Sequence, residues 1–299
     1  MSLWIPATLA AAVFQTLRFM LQKLLSASRL SVGGATFARF LYSAPLVSAG
    51  LFGWSAATGT ALPLPGAAFW AYAAVGGLTQ ILATVCVVML FKSRNFAVGI
   101  TFKKTEVIQT ALVGLLILGE SVSAAALVAI LIGLGGVLLL SRTPETQGAW
   151  WRALTGRAPL LGLVSGVLFA ISGVTYRGAS LEVAADPVLR AAVTLAAVGA
   201  MQLVGMGLWL AWRETGQIAA VWQARRTAVW VGLTSLAGSF CWFLAFTLQN
   251  AAYVYAVGQI EMVLSLMASV LFFRERITPR EIAGMALVGA SILALILVI

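Results

Sequence analysis

The chain has 299 residues, 61% of them hydrophobic and 9% charged, with a mean hydropathy of +1.00. That balance lies far outside soluble globular domains and reads as a polytopic membrane protein. The net charge of +10 raises nucleic acid as a partner, but the basic residues stand singly between apolar runs of about 20, the length that crosses a bilayer. They read as topology signals, and no nucleic-acid partner is expected.

The first apolar run, Trp4 to Leu25, follows no charged n-region and precedes no small-residue cleavage site, so it reads as a retained span. Further runs of helical length fall at 33–54, 67–91, 96–118 and 122–140. A polar stretch over 141–158 carries Arg142, Pro144, Glu145, Arg152 and Arg157, and reads as a linker. Five more runs follow at 159–178, 187–211, 228–248, 251–273 and 279–298. Continuous runs of this length satisfy the backbone as helices, and they exclude the alternating ten-residue strands of a barrel. The expected fold is therefore all-α, with ten transmembrane helices: a five-helix repeat over 1–140, the linker, and a second repeat over 159–299.

The repeat is visible directly. Gly77 to Leu140 aligns without a gap on Gly232 to Leu295: Gly77-Leu78-Thr79 recurs as Gly232-Leu233-Thr234, and Cys86, Phe91, Asn95, Glu106 and Glu120 recur as Cys241, Phe246, Asn250, Glu261 and Glu275. A copy holding an odd number of spans must be followed by a second copy of opposite sense, the inverted-topology architecture of secondary transporters. Lys and Arg concentrate in the loops after odd-numbered spans, including Lys23, Lys92, Arg142, Arg213 and Arg274, whereas the even loops offer Arg177 and Arg190. That bias predicts cytoplasmic odd loops and both termini outside. The two cysteines, Cys86 and Cys241, sit mid-span and suggest neither a disulfide nor a metal site.

The chemistry concentrates in two spans. Thr101-Phe-Lys103-Lys104-Thr-Glu106 lies inside the fourth, where each charge costs about 2.5–3.5 kcal/mol at the helix centre. Lys103 and Glu106 are three apart and can pair on one face, whereas Lys104 has no local partner. These groups either pair locally as structure or line a pathway. Glu261, the repeat mate of Glu106, lies mid-way along the ninth span with Tyr255, Gly258 and Gln259. Glycine-weakened helices near the midplane form transporter sites. Desolvation favours a neutral carboxylic acid, so these acids are candidate proton carriers; the opposite reading keeps each hydrogen-bonded in a packed bundle. Gln80, Gln15, Arg39 and Tyr42 add polar atoms that serve as helix-to-helix glue or as ligands.

No HExxH pair, GxSxG elbow, P-loop or aspartate cluster occurs, so neither enzyme activity, a metal nor a cofactor is expected. Asp186 before Pro187 reads as a helix start.

The steps Leu118-Gly119-Glu120-Ser121 and Phe273-Arg274-Glu275-Arg276-Ile277-Thr278, the latter followed by Glu281-Ile-Ala-Gly284 and Gly289, resemble the ten-helix EamA-like family of the drug/metabolite transporter superfamily. The resemblance covers essentially the whole chain, although Ala129 stands where the second repeat has Gly284. It implies export of small metabolites across the inner membrane, with amino acids prominent and the YddG-type aromatic amino-acid exporters as one branch.

The resulting expectation is a secondary-active exporter of small amphiphilic metabolites, foremost amino acids, working by alternating access through a cavity between the repeats. Lys103 or Lys104 would attract a carboxylate. Glu106 and Glu261 would attract an ammonium or a proton, and Gln80, Tyr255 and Gln259 would hydrogen-bond the rest. The expected setting is the inner (plasma) membrane, as a monomer with lipid and a small-molecule substrate for partners and proton coupling open. Two competitors stand beside it: a sugar-phosphate, nucleotide-sugar or other anion transporter, and an integral membrane lipid-modifying enzyme or scaffold.

Overall fold

A computed structural model describes residues 2–26, 30–91, 102–140, 157–273 and 278–299. Among these the regular structure is helical: α1 Trp4–Ser26, α2 Val32–Thr58, α3 Ala67–Phe91, α4 Glu106–Leu118, α5 Ala124–Leu140, α6 Arg157–Leu181, α7 Pro187–Arg213, α8 Gln217–Gln223, α9 Arg225–Leu248, α10 Ala251–Gly258, α11 Ile260–Phe273 and α12 Pro279–Val298. Six are long and apolar enough to cross a membrane, namely α1, α3, α6, α7, α9 and α12. Apolar side chains such as Leu116, Leu208 and Leu293 stand outward and exposed, as a lipid-facing surface requires.

Helix ends follow local chemistry. The Asp186 carboxylate accepts from the Val188 and Leu189 amides at 3.0 and 3.2 Å, with Pro187 at the first helical position, so the Asp-Pro pair starts α7 as its sequence suggests. Thr278 and Glu281 form a reciprocal capping box ahead of α12, with Pro279 following. That part of the Ile-Thr-Pro-Arg-Glu motif therefore starts a helix.

Three departures from the sequence reading stand out. The ninth apolar run is broken at Gln259 into α10 and α11. The short α8 replaces what reads as loop before the eighth span, its seven residues too few to stand out as a run. Lys23, Arg177, Arg190 and Arg213, assigned to loops, lie in the end turns of α1, α6 and α7. The start of the fourth predicted span, the loop charges Lys92 and Arg274, and linker residues 141–156 fall outside the described residues.

Helix pairing survives exchange of the two halves. α3 packs on α6 as α9 packs on α1, α4 packs on α6 as α10 and α11 pack on α1, and α2 packs on α7 and α5 on α12. The last pair comes together at glycine. A Cβ on Gly136 would stand 2.8 Å from the Gly284 carbonyl and 2.9 Å from the Val288 amide nitrogen, so α5 and α12 touch backbone to backbone.

Candidate functional site

Both halves interrupt a helix at the same place. Thr105 N donates to Phe102 O at 3.2 Å and Gln259 N to Ala256 O at 3.3 Å; these are tight i→i−3 turns, and Glu106 and Glu261 then occupy the first turns of α4 and α11. A carboxylate suits the positive end of a helix. Two glycines let the breaks close in on their neighbours. A Cβ on Gly166 of α6 would lie 3.0 Å from the Lys103 carbonyl, and one on Gly258 would meet the Trp242 indole at 2.5 Å.

The four charged groups at the breaks form two ion pairs. Lys103 Nζ lies 2.9 Å from Glu106 Oε1, the local i,i+3 pair. Lys104 Nζ lies 2.8 Å from Glu261 Oε2, which joins the halves through residues 157 positions apart. All four side chains are buried. Gln15 of α1 donates to the same Glu261 oxygen at 3.0 Å, and its own carbonyl accepts from Trp242 Nε1 at 3.1 Å.

Beside these pairs lies a small cavity. The centres of water molecules have ≈ 30 Å³ of room within it, enough for two or three waters at ~10–15 Å³ each. Its charged walls are Arg18, Arg39 and Lys103, with Gln15, Gln80 and Ser239 as neutral polar groups. Arg39 donates to Ser239 Oγ at 3.0 Å, and Arg18 to Gln22 Oε1 at 3.2 Å. Neither guanidinium has a carboxylate within 4.0 Å among the described residues. Aromatic rings complete the wall: Trp242 stacks on Phe246 at 5.7 Å and meets Tyr255 at 5.6 Å, while Lys103 Nζ sits 4.8 Å above Phe169.

Of the residues singled out in the sequence, Gln80, Lys103 and Tyr255 line the cavity. Gln80 accepts from Gln202 Nε2 at 2.9 Å, and the Tyr255 hydroxyl donates to the Phe169 carbonyl at 3.0 Å. Lys104, Glu106 and Glu261 form the ion pairs beside it. Gln259 lies elsewhere: its Oε1 is 3.4 Å from where a Cβ on Gly133 of α5 would stand. Sequence reasoning passed over Arg18, Trp242 and Gln202. A buried guanidinium in the middle of an apolar run was the available signal for Arg18.

At one end of the bundle, Arg177 Nε donates to Glu120 Oε1 at 2.5 Å and Arg177 NH1 to the Phe246 carbonyl at 2.7 Å. The same end carries a contact from Ser123 N to Tyr253 Oη at 3.4 Å. At the other end, Ser31 donates its hydroxyl to Glu214 and its amide to Gln217 Oε1.

These features define a class: an apolar helical bundle of the kind that spans a membrane, with paired helix breaks and a cationic, aromatic cavity where its halves meet. Residues 156–297 match the model of the EamA-like transporter family. A solved structure titled only as the crystal structure of a protein is similar over 97% of this chain and 99% of its own, with a TM-score of 0.65 and 17% identity, which is a likeness of fold. No curated protein matches the chain.

Proposed function

We propose that the whole chain is a secondary transporter of the drug/metabolite superfamily, built as ten membrane-spanning segments in two inverted repeats, which exports small amphiphilic metabolites bearing a carboxylate by alternating access. Carboxylates with and without an amine, amino acids among them, are the first classes to test. The observation that carries the proposal is the cavity bounded by elements of both halves, with the Lys104–Glu261 pair joining the two broken helices beside it. The family match over 156–297 supports transport as the activity.

The inverted sense rests on which helix ends meet. The C-terminal turns of α6 meet the C-terminus of α9 through Arg177 and Phe246. The chain just beyond α1 meets the C-terminus of α7 through Ser31 and Glu214, at the end where α9 begins. These contacts have α1 and α6 running oppositely, which supports the inverted reading.

The pairing scheme also suggests the moving parts. α3 and α4 cluster on α6, and α9, α10 and α11 cluster on α1, so each body takes helices from both repeats. Rocking one against the other opens the cavity to either side in turn, with Lys103 on its wall still paired to Glu106. The Arg177 and Ser123 contacts join elements of the two clusters at one end and would have to part for that end to open. The lysine and arginine bias supports cytoplasmic odd loops with both termini outside; a C-terminal reporter active only in the cytoplasm would contradict that orientation.

The three cationic residues on the wall also favour a second reading, a phosphorylated metabolite as cargo. Uptake of labelled amino acids and phosphorylated metabolites into proteoliposomes, with and without a pH gradient, tests both readings and proton coupling together. Transport is expected for at least one carboxylate cargo, and flux matching protein-free vesicles for the whole panel would overturn the proposal.

A further inference from the structure

The cavity wall is not built for a zwitterion. An ammonium would enter a wall that already carries three cationic side chains and no carboxylate, since neither Glu106 nor Glu261 belongs to it. Each is held on a lysine at 2.9 or 2.8 Å, and Gln15 also bonds Glu261. The two lysines cancel the two glutamates within these pairs. Arg18 and Arg39 remain, at 3% and 6% exposure, bonded to neutral partners: Gln22 and Gln15 for Arg18, Ser239 and Thr84 for Arg39. Guanidiniums keep their charge in proteins, and a buried cation without an anion is costly. Both face one small cavity beside Trp242 and Tyr255.

We infer that Arg18 and Arg39 form an anion subsite and that the cargo carries net negative charge: a carboxylate on an aromatic or bulky apolar body, without an amine. The carboxylate takes planar, two-point hydrogen bonds from the guanidiniums, a geometry to which arginine is suited. Lys103, over Phe169, adds attraction without leaving Glu106. The cavity as it stands has room for two or three waters, so the body enters as the two helix clusters part, and then lies against Trp242, Tyr255 and Phe246, with Gln80 serving a further polar substituent. This inference rests on the transporter reading above and narrows it; it also withdraws Glu106 and Glu261 from contact with cargo and makes them partners that hold the lysines.

Matched-ring probes separate the charge classes. 3-Phenylpropanoate, phenylalanine, 2-phenylethylamine and phenyl phosphate are titrated by calorimetry into the purified wild-type protein. 3-Phenylpropanoate is expected to bind at least tenfold more tightly than phenylalanine, and 2-phenylethylamine not at all. Arg39→Gln and Arg18→Gln are expected to weaken 3-phenylpropanoate by about 10–100-fold, the loss of a charge-assisted hydrogen bond, with Arg39→Lys recovering part of it. Phenylalanine binding as tightly as the propanoate, any binding of the amine, or tighter binding of phenyl phosphate overturns the assignment, as does absence of propanoate binding. If either variant misfolds, the wild-type ranking still decides. Tight propanoate binding without flux in vesicles sinks the transport reading alone, whereas phenylalanine flux without propanoate binding sinks the anion subsite alone.

Discussion

Glu261→Gln changes one charge and almost nothing else. In the native protein Lys104 Nζ lies 2.8 Å from Glu261 Oε2, with the two side chains 3% and 8% exposed, and Gln15 donates to the same oxygen at 3.0 Å. The amide can still accept from Gln15, a bond worth about 1 kcal/mol, but the Lys104 ammonium is left buried without its counter-charge. Stranding one partner of a buried pair costs about 3–5 kcal/mol, whereas replacing both by uncharged groups is close to neutral. At roughly 2 °C per kcal/mol for a chain of this size, Glu261→Gln is expected to melt roughly 6–10 °C below wild type in the same detergent. The double variant Glu261→Gln/Lys104→Met is expected to melt within a few degrees of wild type, because removing both charges leaves neither stranded. A single variant that melts with wild type, or a double variant that melts no higher than the single, refutes the cross-repeat pairing.

Other substitutions probe packing and closure. Gly136→Ala drives a methyl into the Gly284 backbone and is expected to cost about 1–3 kcal/mol, seen as a lower SDS-unfolding midpoint; Gly135→Ala, with open space beside it, is expected to stay within about 0.5 kcal/mol of wild type. Trp242→Phe keeps a ring but removes the donor to Gln15, so KM for transport is expected to rise by about tenfold or less, the worth of one hydrogen bond, and an unchanged KM would contradict that role. Arg177→Ala frees Glu120 and the last carbonyls of α9; faster amide exchange confined to residues 246–250 is expected, and unchanged exchange there would show that the contact holds nothing shut.

Much of the fold could be read before any coordinates, because lipid imposes helix length and apolarity on each span. Helix starts written in local chemistry, such as Asp186-Pro187, were equally plain. The Lys103–Glu106 pair was legible because i,i+3 spacing alone brings the groups together. The partner of Lys104 was not: Glu261 meets it only after the halves pack, and nothing local encodes a contact across 157 positions. Gly258 did signal a weakened ninth span, but not a full break at Gln259, since the run stays apolar through the interruption. Arg18 was hidden by the habit of reading single basic residues as topology signals, although a cation in the middle of α1 belongs to no loop.

Alternating access demands that the body containing α4 and α6 move against the one containing α1, α9 and α10, and the Ser123–Tyr253 contact spans that seam at 3.4 Å. Ser123→Cys/Tyr253→Cys, with Cys86 and Cys241 replaced by serine, can be joined by a short reducible bis-thiol reagent in proteoliposomes while flux of a carboxylate cargo is followed. Cross-linking is expected to stop the flux, and reduction to restore it. Flux that continues unchanged through the cross-linked protein would contradict alternating access between the two bodies.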